Sequence, residues 1–243
     1  MKTLGVGIVL MVALFFCLPY HLYMKQLWKK NPEKSWEKAR RFVSGFFRFE
    51  LKLSGCKVNV IGKENIPQDG PVLFVGNHRS YFDILIYHEA IGKPLGFLAK
   101  KEMEKIPLLP LYMRDIGCLF LDREDIKQGL SVIKQGTEYM KQGHSMVVFP
   151  EGTRNQTDTL LPFREGGYKM AEKSKSPIVP VSICRSDLML ESAPKRRIHS
   201  HNVTIEFGKP IYPCELPPKE RKERYAEFPP VSYTHLTLPT ILL

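Results

Sequence analysis

His78 and Asp83 stand five positions apart in the stretch Asn77-His78-Arg79-Ser80-Tyr81-Phe82-Asp83. A neutral imidazole steadied by a carboxylate is a general base suited to drawing a proton from a hydroxyl. The spacing also fits a plainer role, with Ser80 as a helix N-cap and Asp83 three positions on completing a capping box. The two roles are compatible, because a carboxylate has several acceptor sites. A second polar knot is Phe149-Pro150-Glu151-Gly152-Thr153-Arg154. There Gly152 lets the backbone approach a ligand and Arg154 offers a planar fork suited to phosphate, unless Glu151 and Arg154 simply form a solvated turn. A third is Arg123, after Gly117-Cys118-Leu119-Phe120-Leu121-Asp122, either free for an anion or paired with Asp122 or Asp125. The histidines show neither H-x-x-x-H nor H-E-x-x-H spacing, so no metal site is expected. No G-x-S-x-G nucleophile elbow is present either.

The elements that must position these residues can be read from hydropathy and turn signals. Lys57 to Ile61 and Pro71 to Gly76 read as strands, split by Pro67-Gln68-Asp69-Gly70. Asp83 to Ile91 reads as a helix stopped by Gly92, and Leu95 to Ala99 as a strand. A helical stretch broken by prolines runs on to Asp115, and Cys118 to Leu121 is again strand-like. Apolar positions 126, 130, 133, 137 and 140 predict a helix closed by Gly143. Ser145 to Phe149, Ile178 to Ile183 and the alternating Val203, Ile205 and Phe207 complete the strands, with a helix near Gly167 to Lys173. This alternation predicts an α/β fold: a mainly parallel central sheet with helices on both faces. Ligands then sit beyond the carboxyl ends of the strands. His78, Arg123 and Glu151 to Arg154 each follow a strand directly and should share one rim.

The amino terminus has a different character. From Thr3 to Met24 there are 22 residues without one Asp, Glu, Lys or Arg. As one helix they would extend about 33 Å, enough to reach across the hydrocarbon of a bilayer. No small-x-small cleavage site follows, which favours a membrane anchor over a signal peptide. From Lys25 to Lys57 ten basic residues face three acidic ones, which carries much of the chain's net charge of +11. Such a bias beside an apolar segment puts the remainder on the cytoplasmic side of the cell membrane. Within this stretch Trp36, Ala39, Phe42, Val43, Phe46, Phe47, Phe49 and Leu53 share one side of a helix. That helix suits a lipid interface, or packing on the domain behind it. Basic residues clustered here, rather than interleaved with aromatics over a folded surface, speak for anionic lipid and against nucleic acid.

Three segments follow: 1–54, a membrane-associated helical region; 55–229, the domain bearing the polar knots; and 230–243, whose VSYTHLTLPTILL has the look of a non-native tail. Cys17, Cys56, Cys118, Cys184 and Cys214 are odd in number and scattered, which argues against a disulfide framework and for a reducing compartment.

Asn77-His78-x-x-x-x-Asp83, Gly117 to Arg123, Phe149 to Arg154 and Pro177-Ile178-Val179-Pro180-Val181 resemble, in order and spacing, the four blocks of the glycerolipid acyltransferases. The likeness covers about Leu51 to Pro213 and is nearest to the bacterial 1-acyl-sn-glycerol-3-phosphate (lysophosphatidic acid) acyltransferases. It implies that His78 is the general base and Asp83 its orienting partner. By the same resemblance Arg123, Glu151, Gly152, Thr153 and Arg154 would bind the acceptor's glycerol phosphate, and Pro180 would shape the acyl or acceptor site. The implied reaction moves a fatty acyl chain from acyl-CoA or acyl carrier protein to the sn-2 hydroxyl of lysophosphatidic acid, giving phosphatidic acid. It uses no cofactor beyond the donor. Another acceptor, such as glycerol 3-phosphate, a lysophospholipid or a lyso-aminolipid, would suit the same blocks. A non-catalytic lipid-binding role fits an intact His78/Asp83 pair less well. Asn155 departs from the Ser that many relatives carry after the Arg.

Overall fold

The computed structural model describes residues 2–155, 157, 161–217, 219–221, 223 and 225. The proposed non-native tail therefore lies outside the described residues. Among the described residues seven strands are present: β1 (Lys57–Ile61), β2 (Leu73–Gly76), β3 (Leu95–Lys100), β4 (Leu119–Leu121), β5 (Ser145–Val148), β6 (Ile178–Cys184) and β7 (Asn202–Phe207). They form one sheet in the order β1-β7-β6-β2-β5-β3-β4. All pairings are parallel except β6 with β7, which turns the β7–β1 edge against the rest. Pro180 has no N–H for a ladder, and it sits where the loss is tolerated, since β6 pairs with β7 only from Val181 onward.

The α-helices are α1 (Lys2–Phe16), α2 (Leu18–Lys30), α3 (Pro32–Ser54), α4 (Phe82–Ile91), α5 (Leu109–Asp115), α6 (Ile126–Lys141) and α7 (Tyr168–Ser174). Because side chains alternate along a strand, the sheet feeds two cores. On one face Phe74, Phe97, Val147, Val179 and Val181 pack with Ala39 and Leu51 of α3 and with Ile86 and Tyr87 of α4. On the other, Leu73, Val75, Met146 and Val148 meet Val132 and Met140 of α6 and Met170 of α7. The expected two-faced, mainly parallel architecture is present.

The amino-terminal segment is not one helix. α1 and α2 are bent by 54° at Cys17, and no single helix in the described residues is long and apolar enough to cross a membrane. Pro19 supplies the cause: it lies in the first turn of α2, and a proline ring removes a ladder donor and clashes with the carbonyl four residues back. The bent pair is held to the domain. Tyr112 donates its hydroxyl to the Leu14 carbonyl at 2.6 Å, and His21 Nδ1 meets Asp115 Oδ2 at 2.8 Å.

The long helix α3 starts at Asn31, whose side chain accepts from Lys34 N, and ends at Gly55 in the left-handed region with φ 78°. Its apolar side is divided. Trp36 and Ala39 are buried, with Trp36 stacked on His144 at 4.1 Å, whereas Phe49 remains 53% exposed. The helix therefore packs on the domain and still presents aromatic surface.

Candidate active site

β2 ends at Gly76, which leaves no room for a side chain: a Cβ there would fall 2.1 Å from the Tyr87 hydroxyl and 2.5 Å from the Val181 carbonyl. Asn77 then continues the ladder with its side chain, donating to Ile183 O at 2.9 Å and accepting from Ile183 N at 2.8 Å. These contacts fix where the chain leaves the sheet, and His78 is the next residue.

His78 Nδ1 lies 2.8 Å from Asp83 Oδ2, and the carboxylate is fully buried. A carboxylate can only accept, so Nδ1 carries a proton, and in the neutral imidazole it is Nε2 that keeps a lone pair. The same Oδ2 accepts from the backbone amides of Arg79 at 2.7 Å and Ser80 at 2.8 Å. The imidazole also stacks on Phe149, the residue after β5, with ring centroids 4.2 Å apart. The imidazole is thus held from two directions by groups that follow adjacent strands.

The helix start differs by one residue from the expected box. α4 begins at Phe82 with Tyr81 at the cap position, and Tyr81 makes no side-chain cap. Ser80 still serves the end, because its Oγ accepts from Phe82 N at 3.1 Å and its carbonyl from Asp83 N at 3.2 Å. Asp83 answers by accepting from Ser80 N, which is the reciprocal half of a capping box. One carboxylate both caps the helix start and holds the imidazole. A consequence is that the amides of residues 79–83 are all engaged within the protein, Tyr81 N by Glu191. A helix start ordinarily leaves its first amides without partners, but here the folded chain uses them internally.

The three polar knots do meet on one rim. Asn155 N donates to the His78 carbonyl at 2.8 Å, which ties the loop after β5 to the loop after β2. Gly152, at φ 74°, lies against Arg123: a Cβ there would be 3.2 Å from Arg123 Cζ. Arg123 pairs with neither of the acids beside it, since Asp122 binds Lys101 and Asp125 caps α6 through Gln128 N. Partial burial and the nearby charge of Arg164 both disfavour its charged form, which a bound anion would offset. Glu151 is not a solvated turn residue. It is 6% exposed and accepts from Asn155 Nδ2 at 2.6 Å, so it braces the loop from within. Thr153 is exposed on the same turn. Pro180 is buried in β6 opposite Val75, within the sheet and three residues of β2 register short of His78.

Arg154 is already engaged. Its Nη1 bonds Glu191 Oε1 at 2.9 Å, and its guanidinium lies 3.7 Å from the centre of the Tyr81 ring. Sequence reasoning missed Glu191, Asp187 and the Phe149 stack. The first two lie in an irregular stretch after β6 that carries no periodic signal, and Phe149 reads as the end of a strand.

A match to the family model described as Acyltransferase spans residues 57–184, which contain His78, Asp83, Arg123 and Glu151 to Arg154. The chain belongs to the acyltransferase family. It is 35% identical over 196 residues to a probable 1-acyl-sn-glycerol-3-phosphate acyltransferase of Mycoplasma pneumoniae, covering 76% of this chain and 71% of that one. A 1-acyl-sn-glycerol-3-phosphate acyltransferase of Helicobacter pylori is 32% identical, with 80% of this chain and 81% of the relative covered. The crystal structure of the 1-acyl-sn-glycerophosphate (LPA) acyltransferase PlsC from Thermotoga maritima superposes with a TM-score of 0.78 at 26% identity. That superposition takes in 97% of this chain and 93% of the other. Within the matched span the rim brings together the His78 imidazole, held by Asp83, and the guanidinium groups of Arg123 and Arg154.

Proposed function

We propose that this acyltransferase moves a fatty acyl group from acyl-CoA or acyl carrier protein to the sn-2 hydroxyl of 1-acyl-glycerol 3-phosphate, giving phosphatidic acid for phospholipid synthesis. The observation that carries this reading is the placement of His78, held by Asp83 and Phe149, on the same rim as Arg123 and Arg154. His78 Nε2 takes the proton of the acceptor hydroxyl as its oxygen attacks the thioester carbonyl. Asp83 keeps the ring in the required tautomer and stabilises the imidazolium that forms. The tetrahedral adduct expels the thiolate, which recovers the proton from His78. The arginines hold the phosphate and so align the hydroxyl with the base. Alignment of this kind can supply up to about 7–11 kcal/mol of the barrier.

The surface supports a lipid substrate. α1 leaves Leu4 69%, Phe15 66% and Phe16 73% exposed, next to a strongly basic stretch. These features favour insertion of the bent α1–α2 pair in the cell membrane, with the domain on its cytoplasmic side. The functional test is an assay of membranes containing the protein, with one labelled donor and a panel of acceptors. Lysophosphatidic acid should be preferred over glycerol 3-phosphate and over lysophospholipids with larger headgroups. Preference for one of the others would overturn the acceptor assignment. Attachment should survive high salt and yield to detergent; release by salt alone would rule out insertion.

A further inference from the structure

After β6 the chain crosses the His78 loop through a short 3-10 turn, Asp187–Met189, and reaches Glu191. The Glu191 side chain is only 8% exposed and accepts three hydrogen bonds. Ser80 Oγ donates to Oε2 at 2.6 Å, while Tyr81 N and Arg154 Nη1 each donate to Oε1 at 2.9 Å. A carboxylate is costly to bury unless its lone pairs are met, and here three donors, one of them charged, meet them. One side chain therefore joins the loops that follow β2, β5 and β6. Asp187 reinforces the join: it lies 3.4 Å from Arg79 Nε and accepts from Ser192 Oγ at 2.7 Å.

The geometry leaves Arg154 usable. Among the described residues, only Nη1 of its guanidinium makes a hydrogen bond, so Nε and Nη2 remain for a ligand. The Tyr81 ring beneath it limits how far it can swing. Ser80 and Tyr81, on the other side of Glu191, are two and three residues from His78.

We propose that Glu191 is a positioning residue for acyl transfer: it aims Arg154 at the acceptor's phosphate and ties that arginine to the loop carrying the base. Phosphate capture and base placement then depend on a single carboxylate. This inference rests on the reading of Arg154 as a phosphate ligand.

The experiment is steady-state kinetics on wild type, Glu191→Ala and Glu191→Gln, with donor and lysophosphatidic acid varied separately and a thermal melt of each protein. Glu191→Ala should raise the acceptor KM by about tenfold, the scale of a lost charge-assisted bond, and lower kcat as well. The donor KM should stay within about twofold. Glu191→Gln keeps a carbonyl oxygen for Tyr81 N and Arg154, so it should regain most of kcat and only part of the acceptor KM. In an Arg154→Ala background, Glu191→Ala should add little to the acceptor KM.

A residue that only stabilises the fold would lower Tm and the active fraction with both KM values unchanged, and that result would overturn the proposal. A lowered acceptor KM would overturn it too, showing Glu191 to compete with the phosphate. If Glu191→Ala does not fold, Glu191→Gln decides: an unmoved acceptor KM defeats the proposal. Wild type without turnover on lysophosphatidic acid would defeat the functional reading, and this role with it. An active wild type beside an indifferent Glu191 variant defeats only the role.

Discussion

The imidazole of His78 lies flat on the ring of Phe149, with the centroids 4.2 Å apart and the planes inclined by only 13°. Asp83 grips the same imidazole through Nδ1. Two loops from adjacent strands thus set the tilt and the tautomer of the imidazole, and neither alone would fix both.

Phe149→Leu should therefore keep the apolar volume and lose the plate on which the ring rests. An aromatic pair contributes about 0.5–1.5 kcal/mol beyond its area, so we expect kcat to fall roughly three- to tenfold. Both KM values should change little. Steady-state kinetics check this, and an unchanged kcat would show that Asp83 suffices.

His78→Ala should remove nearly all turnover and leave the fold in place. Asp83→Asn should be nearly as severe in rate and should also lower stability by about 1–3 kcal/mol, because the carboxylate binds the Arg79 and Ser80 amides as well as the imidazole. Ser80→Ala is the control for a covalent route. It removes one donor to Glu191 and one helix-end acceptor, so turnover should drop in part and persist. Mass spectrometry of the enzyme with donor alone should find no acyl group on Ser80; a trapped acyl-serine would replace direct transfer with a covalent mechanism.

Gly152→Ala probes the acceptor side. Gly152 has φ 74°, a conformation side chains rarely take, and its added Cβ would come 3.2 Å from Arg123 Cζ. The substitution should cost about 1 kcal/mol in stability and push Arg123 off its position. The expected kinetic result is a higher KM for lysophosphatidic acid with the donor KM preserved.

Glu50, on α3, tests an electrostatic cost in the fold. Both its carboxylate oxygens are buried without a hydrogen-bond partner among the described residues, and burial pushes its pKa from 4.5 up to about 7. A pKa raised by folding means that its contribution is whole below about 4.5 and is lost as pH rises through about 7. The loss approaches about 1.4 kcal/mol per pH unit inside that window. Glu50→Gln escapes it, so the variant should melt higher than wild type at pH 8 and show little gain at pH 5. Thermal melts over that range decide the matter; an equal gain at both pH values would place the effect elsewhere than in ionisation.

What the sequence by itself determined is local. Glycines and prolines mark where elements end, and strand-helix alternation implies a parallel sheet whose carboxyl ends share a rim. From that rule alone His78, Arg123 and Arg154 belong together, and they are found together. The His78–Asp83 contact is legible for the same reason, since five residues across a strand-to-helix junction leave few ways to fold back. Boundaries move slightly: β2 starts at Leu73 rather than Pro71, and α4 at Phe82. The Pro19 break was visible in the residues, yet the unbroken run of uncharged side chains reads as a single span.

The tertiary structure alone decided which partners fill the remaining valences. Glu191 reaches Ser80 across 111 positions of chain and Arg154 across 37, and no spacing rule links residues so far apart. A lone glutamate in an irregular loop reads as solvated until the sheet order places β6 beside β2. The same holds for the amides after His78 and for α3, whose apolar side could serve lipid or core. Periodicity records that a face is apolar, while only the packed elements determine what covers it, because burial and hydrogen-bond satisfaction are properties of the whole assembly of segments.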